Sequence, residues 1–218
     1  MSGQSASDSG CSIEAECSEF LSRAQQGDLE APDSLLQLYR ERLLRMVRFR
    51  IDNRLSQRID ASDVVQEATM EAAKRLPNYL EDPSMDFYVW LRWITRDRLI
   101  DLHRQQLGTQ KRGDGRDLSI DESCAEQSAV ALADMLVSQL SSPSNAMERK
   151  QNHEAVRQAI QTLNSTDREI LELRHFEQLS TRQAAEVLGL SKSGASKRYV
   201  LALKNLKVLL RTVLPDYE

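Results

Sequence analysis

A chain of 218 residues with 40% apolar positions, 8 glycines and 5 prolines has the composition of one or two small helical cores, and long β-branched runs are absent. Its three cysteines, Cys11, Cys17 and Cys124, are odd in number and widely spaced, which excludes a disulfide framework and fits a reducing cytoplasm. The formal charge of −4 is unevenly spread: residues 1–22 hold four acids and no base, and residues 113–148 hold seven acids against Arg116, so everything outside them is net positive.

The opening "MSGQSASDSG" has nothing to bury, so residues 1–14 read as a disordered acidic tail with neither a signal peptide nor a membrane anchor. Helical periodicity begins near Glu16. Pro32 then sits where a first-turn proline is tolerated and leads into a stripe of Leu35, Leu36, Tyr39, Leu43, Met46, Val47 and Arg50. In "DASDVVQEATMEAAKRL", Asp63 is the expected N-cap with Gln66 three residues on. Val64, Val65, Ala68, Ala72 and Leu76 form its apolar face, Asp63, Gln66, Glu67, Met70 and Lys74 the opposite one, and Pro77 is expected to stop it. After the connection "NYLEDPSMD", the segment "FYVWLRWITRDRLIDLHRQQ" reads as a third long helix with Phe87, Trp90, Leu91 and Ile94 inward.

From Leu107 to about Ser144 the composition turns to Gly, Ser, Asp and Gln, a linker with one short helical turn near "AVALADMLVSQL". Periodicity resumes at Met147 for one helix to about Leu163. A second is expected to open on a Thr166/Glu169 capping box, a third on Ser180 with Gln183, and a last after Gly189, ending before Pro215. The expected architecture is all-α: two small helical bundles joined by a flexible linker, with an N-terminal domain over 15–106, an acidic linker over 107–146 and a C-terminal domain over 147–214.

The C-terminal pair fits a helix-turn-helix. Ser180 caps the first helix, Ala184, Ala185 and Leu188 face inward, Gly189 supplies the left-handed turn, Leu190 plugs the junction and Ser191 caps the second helix. In that second helix Ala195, Tyr199, Ala202, Leu203 and Leu206 fall on one side, while Lys192, Ser193, Ser196, Lys197 and Arg198 fall on or flank the other. Six basic residues and no acid lie between Gly189 and Arg211. Small and basic residues at an exposed helix N-terminus suit entry into a DNA major groove, with lysines neutralising phosphates. A solvated amphipathic helix is the plain alternative, but capping, glycine turn, inward stripe and acid-free outer face all coincide here. Gly194 departs from the ideal, since a helix-interior glycine costs ~1 kcal/mol relative to alanine. Close approach of backbone to DNA is one reason to keep it.

With "ASDVVQEA" followed by "FYVWLRWITRDRLIDLHR", and this helix-turn-helix after them, the chain resembles bacterial RNA polymerase sigma factors of the sigma-70 family, extracytoplasmic-function (ECF) group. That family shows a DAxDxVQE-like helix, an FxxWLxxIxRN-like helix and a helix-turn-helix of the form LSxxEIAxxLGxSxGTVKSRxxRAxxxL. The matching residues are Asp60, Asp63, Val65, Gln66 and Glu67, then Phe87, Trp90, Leu91, Ile94, Arg96, Asp101 and Arg104. In the last block they are Leu179, Ser180, Ala185, Leu188, Gly189, Ser191, Arg198, Ala202 and Leu206. The likeness covers roughly 160 of the 218 residues. Asp97 stands where the family often has Asn, Gln183 and Ala184 replace a Glu-Ile pair, and "SGASKR" replaces "GTVKSR"; these departures bear on promoter sequence.

The resemblance implies a cytoplasmic transcription initiation factor, monomeric when free, whose partners are core RNA polymerase (clamp coiled coil and flap) and promoter DNA. It assigns clamp docking to Asp63, Gln66, Glu67 and Met70. It assigns the minus-ten element to Tyr88, Arg92, Trp93, Arg96 and Arg104, with base capture by the loop from Tyr79 to Asp86. The minus-thirty-five element falls to Lys192, Ser193, Ser196, Lys197 and Arg198. An anti-sigma factor is a common partner in the group, and nothing in the sequence identifies one. His103, His153 and His175 have no ligand spacing, so no metal and no cofactor are expected. Nor is enzymatic chemistry, because Asp97 and Asp101 sit among arginines that make surface ion pairs the simpler reading. The competing reading is a helix-turn-helix regulator that binds DNA without polymerase.

Overall fold

The structure is a computed structural model describing residues 5–51, 59–110 and 146–213, with side chains over 13–51, 59–105 and 154–212. Every regular element among the described residues is a helix: α1 (Ser5–Gln25), α2 (Ala31–Leu38), α3 (Arg40–Arg50), α4 (Ala61–Glu81), α5 (Phe87–Gln110), α6 (Ala146–Thr162), α7 (Ser165–His175), α8 (Thr181–Val187) and α9 (Lys192–Val213). Their contacts sort the chain into one unit of Met1–Val47 with Ala61–Leu99 and another of Arg48–Asp60 with Ile100–Glu218. Periodicity along the chain divides it at 106 and 147 instead. The expected linker 107–146 lies outside the described residues except at its two ends, and the expected turn near "AVALADMLVSQL" lies wholly outside them.

In the first unit α1, α2 and α4 pack on one another. The predicted stripe is buried from Leu35 through Val47, as are Val64, Val65, Ala68, Ala72 and Leu76 of α4. Burying each large aliphatic side chain contributes ~1.5–3 kcal/mol. Asp86 caps α5, its Oδ1 accepting from the backbone N–H of Tyr88 (3.1 Å) and Val89 (3.4 Å). The rings of Tyr39, Tyr79, Phe87 and Trp90 then close the core around that cap.

Three expectations for this unit are corrected. The first helix begins at Ser5, so residues 5–14 of the expected tail are helical; they carry no apolar stripe to announce it, but extending a nucleated helix costs little. Asp63 lies in the first turn of α4, not at its cap. Pro77 sits inside α4. The bond it removes would run to the carbonyl of Ala73, and both residues are exposed, so water can take that carbonyl. Buried Tyr79 holds the turn beyond the proline, donating its hydroxyl to the Met85 carbonyl at 2.7 Å.

In the second unit α9 packs on α6, α7 and α8 around Val156, Ile160, Leu163, Ile170, Leu171, Ala185, Ala195, Ala202, Leu206 and Leu210. Ser180 and Gln183 form the expected reciprocal capping box on α8. Gly189 has φ +63, and the N–H groups of Gly189 and Leu190 close onto the carbonyls of Glu186 (3.3 Å) and Ala185 (2.8 Å). That pairing is a Schellman stop, which needs a left-handed residue where only glycine is free of Cβ strain. Ser191 caps α9 by accepting from the Gly194 N–H at 3.0 Å. The cap of α7, by contrast, is Asn164, accepting from Asp167, and the expected Thr166/Glu169 box does not form. Leu190 and Leu203, read as inward, are 39% and 38% exposed.

Candidate nucleic-acid interface

Helix α4 presents one polar face. With Val64, Val65, Ala68 and Ala72 packed inward, the i, i+3, i+4 and i+7 positions Asp63, Gln66, Glu67 and Met70 all stand in solvent. Met70 is 57% exposed, a flexible apolar side chain set among charges with no fold-level reason to be there. Glu67 pairs with Arg98 of α5. Glu71 accepts from Arg75 at 2.8 Å, and those bonds hold its carboxyl below the usual range.

Helix α5 separates the five residues predicted to face DNA. Tyr88 and Arg92 are buried: the Arg42 guanidinium lies 3.8 Å above the Tyr88 ring, and Arg92 is 2% exposed. They belong to the core and do not form part of its outer surface. Trp93 is 40% exposed, with the Arg96 guanidinium 5.7 Å from its ring, and Arg104 is exposed farther along the same helix. In "FYVWLRWI" Tyr88 and Arg92, one turn apart, are the side that reads as polar, and it is this side that the structure buries. The loop expected to span Tyr79 to Asp86 is shorter, because α4 extends to Glu81. Asp82, Pro83 and Ser84 are exposed in what remains.

The first turns of α9 carry Lys192, Ser193, Ser196 and Lys197, all exposed, while Ala195 and Ala202 are fully buried on the opposite side. The outer face continues through Lys204, Lys207 and Arg211 without an acid. Arg198, the fifth residue of the predicted set, is part-exposed and leans on α7: its Nε lies 3.1 Å from Oδ1 of Asp167, a carboxylate with no exposure. Asn164 and Asn205 each donate to Oδ2 of the same carboxylate at 2.7 Å. Sequence reasoning missed Asp167 and Asn205. The available signal was "NSTD", an Asn cap with an acid three residues on. Beside this cluster Tyr199 shares a hydrogen bond with Nε2 of His175 at 3.1 Å. Burial, helped by the Arg174 charge, holds that imidazole below the usual histidine range.

None of the described helices is long and apolar enough to cross a membrane. The arrangement offers one acid-free basic surface on α9, a mixed-charge surface on α5 where Asp97 and Asp101 stand exposed beside Trp93 and Arg104, and one acidic face with a methionine.

Residues 14–212 match the family model described as ECF sigma factor. The RNA polymerase sigma-H factor of Pseudomonas aeruginosa is 32% identical over 171 residues, covering 78% of this chain and 81% of that protein. RNA polymerase sigma factor SigZ of Bacillus subtilis is 28% identical over 160 residues, covering 73% of this chain and 78% of that protein. A solved structure of CnrH in complex with the cytosolic domain of CnrY aligns at TM-score 0.49 and 21% identity, covering 88% of this chain and 96% of that one.

Proposed function

The chain belongs to the ECF sigma factor family, and on that footing we propose that it binds core RNA polymerase and reads promoters with two separate helical surfaces. The α4 face of Asp63, Gln66, Glu67 and Met70 docks on the polymerase clamp, as the family resemblance implies. Trp93, Arg96 and Arg104 hold the minus-ten strand, the ring by stacking a base at ~1–3 kcal/mol and the guanidinium groups by gripping phosphates. Tyr88 and Arg92 support that helix from inside the core. Lys192, Ser193, Ser196 and Lys197 enter the groove at the minus-thirty-five element, and Lys204, Lys207 and Arg211 follow the backbone.

The observation that carries this reading is the first turn of α9: serines and lysines exposed on one edge, with Ala195 fully buried behind them. An acid-free edge of that kind fits a polyanion far better than an acidic partner. Because each module is small, polymerase is needed to join two weak contacts into one strong one.

The test is the salt dependence of promoter binding by the reconstituted holoenzyme. Lys197→Ala should flatten the slope of log affinity against log salt by about 0.9. Free chain should bind the same duplex weakly. If the free chain held the duplex as tightly as holoenzyme does, the polymerase-dependent reading would give way to a stand-alone regulator.

A further inference from the structure

We infer, resting on the promoter-reading role proposed above for α9, that Asp167 is a positioning residue for promoter recognition and that Arg198 serves as its strut instead of reading a base. A carboxylate with no solvent exposure is expensive to bury unpaired. Asp167 is held from two directions: Oδ2 accepts hydrogen bonds from both, while Oδ1 has no hydrogen-bond donor among the described residues and faces the Arg198 charge. Asn164, the cap of its own helix, both donates to Oδ2 at 2.7 Å and accepts from the Asp167 N–H at 2.8 Å, which fixes the side chain on α7. From α9, Asn205 donates to Oδ2 at 2.7 Å and Arg198 brings Nε within 3.1 Å of Oδ1.

The two α9 residues are seven apart, two helical turns on one face. Anchoring both on a single carboxylate of α7 therefore fixes the rotation of α9 and its axial position together. That setting decides which side chains meet DNA. Ser196 and Lys197 immediately precede Arg198, and successive residues of a helix point about 100° apart, so a small rotation of α9 turns the serines and lysines away from the bases. A guanidinium already committed to a buried acid is poorly placed to read a base edge, since leaving would strand the charge it neutralises.

The experiment compares full-length variants in holoenzyme with core bacterial RNA polymerase. The template is a promoter recovered from genomic fragments that the wild-type holoenzyme transcribes. Transcription is measured across single-base changes of the upstream element, and complex formation across salt. Asp167→Asn and Arg198→Gln should each lower transcription about tenfold, spread over all contacted bases, with the salt slope unchanged. Their combination should cost little more than either alone. Asn205→Ala should show the same pattern more weakly, and it carries the test together with Arg198→Gln if Asp167→Asn does not fold.

Three results would overturn the inference. They are loss of preference at one base pair in Arg198→Gln that Asp167→Asn leaves intact, a salt slope flattened by Arg198→Gln as by loss of a phosphate contact, and losses in the two variants that simply add. Lys197→Ala is the separate control. If it changes neither transcription nor slope, α9 does not read the promoter, and the inference falls with that reading.

Discussion

Arg50 donates from Nε and Nη2 to Oε1 of Glu177, at 3.0 and 2.8 Å, joining residues 127 positions apart in sequence. Both lie within the second unit, as does Glu172, whose carboxylate is 3.7 Å from the same guanidinium, and Phe49 stacks on Phe176 at 4.3 Å. Arg50 is a buried base that meets two acids at once. Arg50→Ala should destabilise by about 3–5 kcal/mol, because it removes a charge that both carboxylates face. Glu177→Gln should cost less, since Glu172 remains to pair with Arg50. Urea unfolding of the two variants orders them.

Gly194 occupies the third position of α9, where an added Cβ would lie 3.1 Å from Oγ of Ser191, the atom that caps the helix. Gly194→Ala gains up to ~1 kcal/mol of helix propensity and disturbs a cap worth about the same, so its net effect on thermal stability should be close to zero. Ser191→Ala loses the cap with no gain and should destabilise by ~1 kcal/mol. In promoter binding Gly194→Ala should be the worse of the two if backbone approaches DNA there.

His175 contributes a pH dependence of defined sign. Its pKa in the folded chain is below the ordinary 6.5, first because of burial and then because of Arg174. The unfolded chain therefore takes up the proton more readily, and the stability due to neutral His175 is present above pH 6.5 and lost as pH falls below it. Melting temperatures between about pH 5 and 8 should fall on the acid side more steeply for wild type than for His175→Gln.

Met70 should matter to assembly and little to folding. At 57% exposure, Met70→Glu should leave stability within about 0.5 kcal/mol of wild type. Association with core polymerase should weaken at least about tenfold, because a charge replaces apolar contact area in the proposed interface. Fluorescence anisotropy of labelled chain titrated with core enzyme measures it.

What could be read from the sequence was what local chemistry decides. The two faces of α4, the Ser180/Gln183 box and the Gly189 stop depend on residues within one or two turns, and each appears in the structure. What escaped depends on distant packing. Pro77 looks like a terminator until Tyr79 is seen holding the helix beyond it. Tyr88 and Arg92 look like surface residues until Arg42 and the core close over them, because at i and i+4 they form the polar side of "FYVWLRWI". Asp167 meets Asn205, thirty-eight positions on, only after the chain folds back. The helix-turn-helix was thus visible at once, while the clamp behind it was not.

The central claim, that this chain acts by giving core RNA polymerase its promoter, is tested most directly by transcription in vitro. Core enzyme alone, chain alone and the two together are incubated with a fragmented genomic template, and transcript starts are mapped. Defined starts should appear only with both components and should share two sequence elements at a constant separation. Starts that do not depend on the chain, or a chain that grips duplex tightly without ever associating with core enzyme, would contradict it.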